Sequence, residues 1–388
     1  MKNTICKILA LVMCALLACT AFVACGENNS SDAFVIGMSG PLTGGASVYG
    51  IAVKNSAQMA IDEINEAGGL NGVMFELAAF DDQHDYTKVA TNYAAMMDAG
   101  MVVSLGCVTS KPGLEFTKLS AEDNVFFLTP SASANDIVTI DNDKYSNGYQ
   151  MCFADGNQGT VAAEYVNTLD FDTIGIFYKT DDPYSKGIYD MFKATLNSDI
   201  KTVEASFTDD TTDFTTQIEA LKECKFIFMP IYYAPASSFM TQAKDKVAAD
   251  AIYYGCDGFD GIESAEGFDI TTIPQAITML SHFNSKATEG AAADFIAKYT
   301  DKYGKETLNQ FGASAYDCVY AIYNAMKQAQ EAGKDIAPDM DPSDLCEILK
   351  EMFNGDFSYS GNTGDDIKWD ATGYVAKTAI AYEIKGAN

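Results

Sequence analysis

The chain has 388 residues, with 25 Lys+Arg against 54 Asp+Glu, a formal net charge of −29, 48% apolar and 12% aromatic residues. A chain this apolar can fill a large core, and at roughly 100–200 residues per domain its length suggests two globular units. The excess of acid repels phosphate backbones, and His84 and His282 are the whole histidine complement, so nucleic-acid binding and a zinc site of the usual kind are both disfavoured.

The first 24 residues read as a secretory signal. Lys2 and Lys7 precede an apolar run over 8–18 that continues with small residues to Ala24, too short for a comfortable membrane span. The run ends Phe22-Val23-Ala24-Cys25-Gly26 and is followed by a polar tether, so 25–33 looks like the start of a bacterial lipoprotein with Cys25 as the lipid attachment. Leu16-Leu17-Ala18-Cys19 is a rival box whose downstream residues make a poor tether. Each buried CH₂ of an acyl chain gains about 0.8 kcal/mol, so the expectation is an extracytoplasmic protein anchored to the cell membrane. Six cysteines lie beyond Cys25, and a large apolar chain does not need them as a disulfide framework.

From residue 34 onward, strand-length apolar runs alternate with helical patterns. Strands are expected at 34–38, 74–80, 101–105 and 125–128, with helices at 49–66, 87–98 and 113–122. The alternation restarts with strands at 174–178, 203–207, 226–229 and 251–255, and helices follow at 291–303 and 313–332. Strands buried on both faces with helical crossovers mean parallel sheets, here two in succession. No low-complexity linker separates the halves.

Open sheets of this kind take ligands at the carboxyl ends of their strands. Two hydroxyl-rich turns stand there, 106–113 with Ser110 and 129–133 with Ser131 and Ser133, each able to receive an anion on free backbone N–H groups. In the other half, Tyr232, Tyr233 and Asp257 follow strands and suit a cation with an apolar body. Together they describe a zwitterion held between two lobes. G-x-x-x-x-G-K-[ST], G-x-G-x-x-G and G-x-S-x-G are all absent, and no nucleophile–base pair stands out, so neither an enzyme nor a cofactor is expected.

Several ordered blocks carry a family resemblance: 36–41 (IGMSGP), 65–72 (NEAGGLNG), 80–82 (FDD), 129–132 (TPSA), 184–187 (YSKG) and 315–317 (AYD). Through them the chain from 34 to about 384 resembles the leucine/isoleucine/valine-binding proteins, type I periplasmic solute-binding proteins of ABC importers. The resemblance implies an α/β fold of two doubly wound parallel-sheet lobes, joined by a three-strand hinge with the ligand cleft between them. It places lobe 1 at 34–153 and 283–355, and lobe 2 at 154–282 and 356–388.

By position, the resemblance gives Ser110, Ser131 and Ser133 to the ligand carboxylate, and Tyr232 and Asp257 to the rest of the head group. Tyr49, Tyr184 and Phe311 would line the side-chain pocket. Asp257 stands where the family usually has Glu, and the loop over 41–49 looks longer than in the leucine-binding prototype. His84 and Thr109 occupy positions that form a disulfide in those relatives. Each site position also has an ordinary reading, as helix cap, turn serine, core tyrosine or turn aspartate. Asp81 and Asp82 read as caps or surface acids, Asp155 as hinge structure, and the two histidines as surface or packing residues.

The implied function is capture of an amino acid, branched-chain or otherwise apolar, by hinged closure and its delivery to an ABC permease by a monomeric, non-enzymatic lipoprotein without cofactor or metal. The alternatives are the same fold binding an amide, urea, a short peptide or an aromatic acid, or serving as a ligand sensor.

Overall fold

The computed structural model describes residues 32–140, 143–144 and 147–386; the signal segment, Cys19 and Cys25 lie outside them. The first sheet is built from β1 (Ala33–Gly40), β2 (Met74–Asp81), β3 (Met101–Cys107), β4 (Phe127–Thr129) and β5 (Gly148–Gln150), interleaved with helices α1 (Ser47–Glu66), α2 (Val89–Asp98) and α3 (Ser110–Glu122). Its order is β2-β1-β3-β4-β5, all parallel. Every residue of β1 is buried, as a central strand covered on both faces requires. Gly37 sits at its middle because a Cβ there would come within 2.0 Å of the Met101 sulfur.

The chain then enters a second unit through α4 (Asp155–Asn167). There follow β6 (Thr173–Lys179), α5 (Pro183–Thr195), β7 (Lys201–Phe207), α6 (Thr215–Leu221), β8 (Phe226–Met229), α7 (Tyr233–Ala243), β9 (Ile252–Gly255) and β10 (Ala276–Ser281). The parallel order β7-β6-β8-β9-β10 repeats that of the first sheet, so each sheet has one point where the winding reverses.

Helices α8 (Gly290–Tyr303), α9 (Gln310–Glu331) and α10 (Pro342–Phe353) return to the first unit, where α9 packs along α1. A hairpin of β11 (Tyr359–Gly361) and β12 (Gly364–Ile367) follows, and β13 (Ile380–Lys385) closes the second sheet as its antiparallel edge. The chain therefore crosses between the units three times, over 151–154, 282–289 and 376–379.

The third crossing comes later than the expected division at residue 356. Residues 359–369 stay on the first lobe because Asp317 of α9 accepts from Tyr359 Oη (3.1 Å) and from the N–H groups of Asn362 (2.9 Å) and Thr363 (2.8 Å). Trp369 packs on Phe353 and donates to Gln150 O at 2.8 Å. Only β13 joins the second sheet.

Several element starts also differ from the periodicity. Helix α9 begins at Gln310 because Asn309 Oδ1 caps the amides of Phe311 and Gly312, each at 3.0 Å. The expected helix at 87–98 opens as a 3₁₀ turn, Tyr86–Lys88, capped by Asp85. Asp81 and Asp82 instead hold the β1–α1 side: Asp81 accepts from Leu42 N (2.8 Å) and Thr43 Oγ1 (2.6 Å), and Asp82 from Ser39 Oγ (3.0 Å).

Candidate functional site

Cys25 aside, the sequence-expected site residues lie where the two lobes meet, and most follow the carboxyl ends of strands. Ser110 opens α3 after β3, and Ser131 and Ser133 follow β4. In the second lobe Tyr184 lies in α5 after β6, Tyr232 caps α7 after β8, and Asp257 follows β9. Tyr49 and Phe311 come from the N-terminal turns of α1 and α9.

The aromatics form one cluster. Tyr184 stacks on Tyr232 with centroids 4.5 Å apart, and Tyr49 stands 5.9 Å from Tyr232 and edge-on to Phe311 at 5.0 Å. The Tyr232 hydroxyl faces the backbone of Ser110, so it reaches from the second lobe to the first.

The lobes are shut. Tyr49 Oη donates to Gly258 O and accepts from Tyr233 N (3.2 Å), while Gln310 N donates to Asp260 Oδ2 at 2.9 Å. At the mouth, Lys111 of α3 reaches Asp209 (3.4 Å) and the carbonyl of Asp181 (3.4 Å).

The electrostatics centre on two buried acids. Asp257 is 1% exposed; its Oδ1 accepts from Tyr184 Oη at 2.7 Å, and Oδ2 lacks a well-formed hydrogen bond, with the Gln158 side chain near the carboxyl. Gly258 N also donates to Tyr184 Oη at 2.9 Å, and a Cβ on Gly258 would sit 2.7 Å from that oxygen. Burial pushes the Asp257 carboxyl up to about 7. Asp155, the first residue of α4, is wholly buried with both carboxyl oxygens lacking a well-formed hydrogen bond, and the Ser133 hydroxyl is near it. Burial first, and the Asp257 charge second, raise it well above the usual carboxylate range. Neither acid forms an ion pair among the described residues. Oxygens without partners in a dry cleft are acceptors awaiting a donor.

The hydroxyl turns are more committed than the sequence suggests. Ser110 Oγ already accepts from Ser133 N (3.3 Å) and Ala134 N (3.1 Å), and Ser131 Oγ donates to Val108 O at 2.6 Å. A carboxylate would have to displace the Ser110 hydroxyl from those two amides. Sequence reasoning read Asp155 as hinge structure. Its place beside the first crossing is indeed structural, and only the fold reveals that its carboxyl is unsatisfied beside Asp257. Its position after β5, at the end of a parallel strand like the other site residues, is the signal that was available.

His84 and Thr109 are hydrogen-bonded, Nδ1 to Oγ1 at 2.9 Å, a polar bridge at the two positions for which the family resemblance implied a disulfide. Burial lowers the His84 imidazole to about 4, and its ring meets Tyr232 edge-on at 5.2 Å. His282 is a packing residue, buried with Nε2 bonded to Ser314 Oγ at 2.7 Å. The six described cysteines are all buried and unpaired.

Comparison with known proteins agrees with this architecture. Residues 34–363 match the family described as Periplasmic binding protein. A Leu/Ile/Val-binding protein of Rhizobium johnstonii is 31% identical over 356 residues, spanning 88% of this chain and 93% of that protein. A leucine-, isoleucine-, valine-, threonine- and alanine-binding protein of Pseudomonas aeruginosa is 28% identical over 88% of both chains. Among solved structures, a branched-chain amino acid transporter substrate-binding protein of Streptococcus pneumoniae, in complex with isoleucine, superposes with a TM-score of 0.77 at 23% identity, covering 91% of this chain and 99% of its own. With its paired lobes, three crossings and interlobe cleft, the chain belongs to the periplasmic binding proteins of the Leu/Ile/Val-binding family.

Proposed function

We propose that this protein captures an apolar α-amino acid, with leucine, isoleucine and valine first, and presents it to an ABC importer in the membrane. The observation that carries the reading is the pair of buried carboxyls, Asp155 and Asp257, with three oxygens that lack a well-formed hydrogen bond, beside an aromatic cluster. A cationic ammonium satisfies such a pair; a neutral or anionic guest leaves it uncompensated. Ser110, Ser131 and Ser133 then form the carboxylate end, with the Ser110 and Ser133 amides and hydroxyls as donors. Tyr49, Tyr184, Tyr232 and Phe311 surround the side chain. The named substrates of the relatives in Rhizobium and Pseudomonas support the same ligand class.

Closure supplies the mechanism. A ligand on one lobe makes half of its contacts; the shut cleft adds the rest and excludes water, where charge-assisted bonds contribute about 1.5–3 kcal/mol each. The shut form is what a permease would receive. The reading includes an N-terminal lipid on Cys25, holding a monomer at the outer face of the cell membrane. A thermal-shift panel of amino acids at pH 8 tests the ligand class: a ligand at 100 times its dissociation constant adds about 2.7 kcal/mol of apparent stability. A panel in which benzoate stabilises and no amino acid does would overturn it.

A further inference from the structure

Gln158 lies in α4 three residues after Asp155, so the two share one face of that helix. The side chain is buried, and its Oε1 accepts from Asp257 N at 3.1 Å. That bond fixes which way round the amide lies, because only its oxygen can accept. Nε2 is the end left over. It lacks a well-formed hydrogen bond, as does Asp257 Oδ2, and the side chain stands near enough to the carboxyl to favour its ionised form. The other titratable groups facing Asp257 are Asp155 of α4, Tyr184 of α5, Tyr49 of α1, Cys152 of the first crossing, and Cys256 and Asp260 beside it in sequence. None of these is a cation. A lysine at 158 would favour the carboxylate but repel a ligand ammonium, whereas a neutral amide favours the carboxylate without adding a charge.

We propose that Gln158 is a positioning residue of the ammonium site, its amide gripping Asp257 by the backbone N–H and turning a donor toward the carboxyl. The proposal rests on the reading above that the acid pair holds an amine. Gln158 does not itself touch the ligand; it aims Asp257 and favours the charged form that an ammonium needs. Its removal therefore acts through the titration of Asp257, and the loss of affinity depends on pH.

Calorimetric titration of leucine at pH 6 and pH 9 tests this on wild type and on Gln158→Met, which keeps the length of the side chain and removes the amide. Below the pKa of an acid, each unit of upward shift lowers the ionised fraction about tenfold, and well above it the difference disappears. The expected result is that Gln158→Met binds leucine roughly tenfold more weakly than wild type at pH 6 and within about threefold of it at pH 9. Both proteins meet the same leucine in the same buffer, so the titration of the ligand cancels in the ratio. Gln158→Asn keeps an amide but draws it one methylene back from Asp257; it should show the same convergence, and it carries the test if Gln158→Met does not fold. An equal loss at both pH values, as a purely structural residue would give, or no loss at either, overturns the proposal and leaves the amino-acid reading standing. A wild type that binds none of leucine, isoleucine and valine overturns both.

Discussion

The Tyr49 hydroxyl donates to the carbonyl of Gly258 and accepts from the N–H of Tyr233, so one first-lobe side chain closes two hydrogen bonds on the second lobe. The ring is 1% exposed and braced by Phe311 and Tyr233, each edge-on at 5.0 Å. Both bonds exist only while the lobes are shut. Tyr49→Phe keeps the packing and removes them, leaving a buried carbonyl and a buried amide unsatisfied at about 1–3 kcal/mol for such a group. Because only the shut state makes every ligand contact, apparent affinity falls with its population. The variant is expected to bind its amino acid roughly fivefold or more weakly and to show a larger ligand-free radius of gyration in small-angle scattering. Equal radii with equal affinities would remove Tyr49 from the closing machinery.

The acid pair makes binding depend on pH, and the direction follows from which form the ligand needs. An ammonium favours ionised Asp257, whose carboxyl burial raises to about 7. Affinity should therefore be highest above pH 7 and decline as pH falls through it, a range where an ordinary aspartate, titrating at about 4, would be silent. Stability of the ligand-free fold runs the other way. The folded chain retains a proton that the unfolded chain releases above about pH 4, so this group's contribution to stability falls as pH rises from 4 to 7. Asp257→Asn removes the buried charge while its side-chain oxygen can still accept from Tyr184. It is expected to melt higher than wild type at pH 8 without ligand, and to lose most amino-acid binding. Differential scanning calorimetry with and without ligand reads both.

How much of this was legible in the sequence follows from the physics of each part. Strand-and-helix alternation was plain because central strands such as β1 and β8 are buried along their whole length and read as unbroken apolar runs. The turns after β3, β4, β8 and β9 were legible as strand ends because each follows an apolar run of strand length. Asp155 shares that strand-end position after β5, but its place as the first residue of a helix has an ordinary reading, and only the fold brings its carboxyl beside Asp257. The attachment of 359–369 to the first lobe was equally hidden. It depends on Asp317 gathering donors more than 40 residues away in sequence.

Gly258 supports the site through what it lacks. Its N–H donates to Tyr184 Oη, and an added Cβ would lie 2.7 Å from that oxygen and 2.8 Å from the carbonyl of Ile231. Gly258→Ala should therefore push the Tyr184 ring off Asp257, whose Oδ1 it holds at 2.7 Å. The stack of Tyr184 on Tyr232 moves with it. Overpacking of this kind costs about 1–3 kcal/mol, and the expected result is a lower melting temperature together with at least tenfold weaker binding. A Gly258→Ala protein with wild-type affinity would show that the Tyr184–Asp257 bond does not shape the site.

Burial first, and the Asp257 charge second, hold the Asp155 carboxyl well above the usual carboxylate range. A bound ammonium stabilises the ionised form of both, so binding near pH 7 should expel protons into the buffer. Calorimetric titration in two buffers of different ionisation enthalpy measures that release directly. Asp155→Asn replaces a wholly buried carboxyl, which burial disfavours in its charged form, with a group of the same shape, so stability without ligand should not fall. Binding should weaken by roughly tenfold, the loss of one charge-assisted contact of about 1.5–3 kcal/mol, and proton release should shrink to what Asp257 alone supplies. Unchanged affinity and unchanged proton release in Asp155→Asn would confine this acid to the hinge.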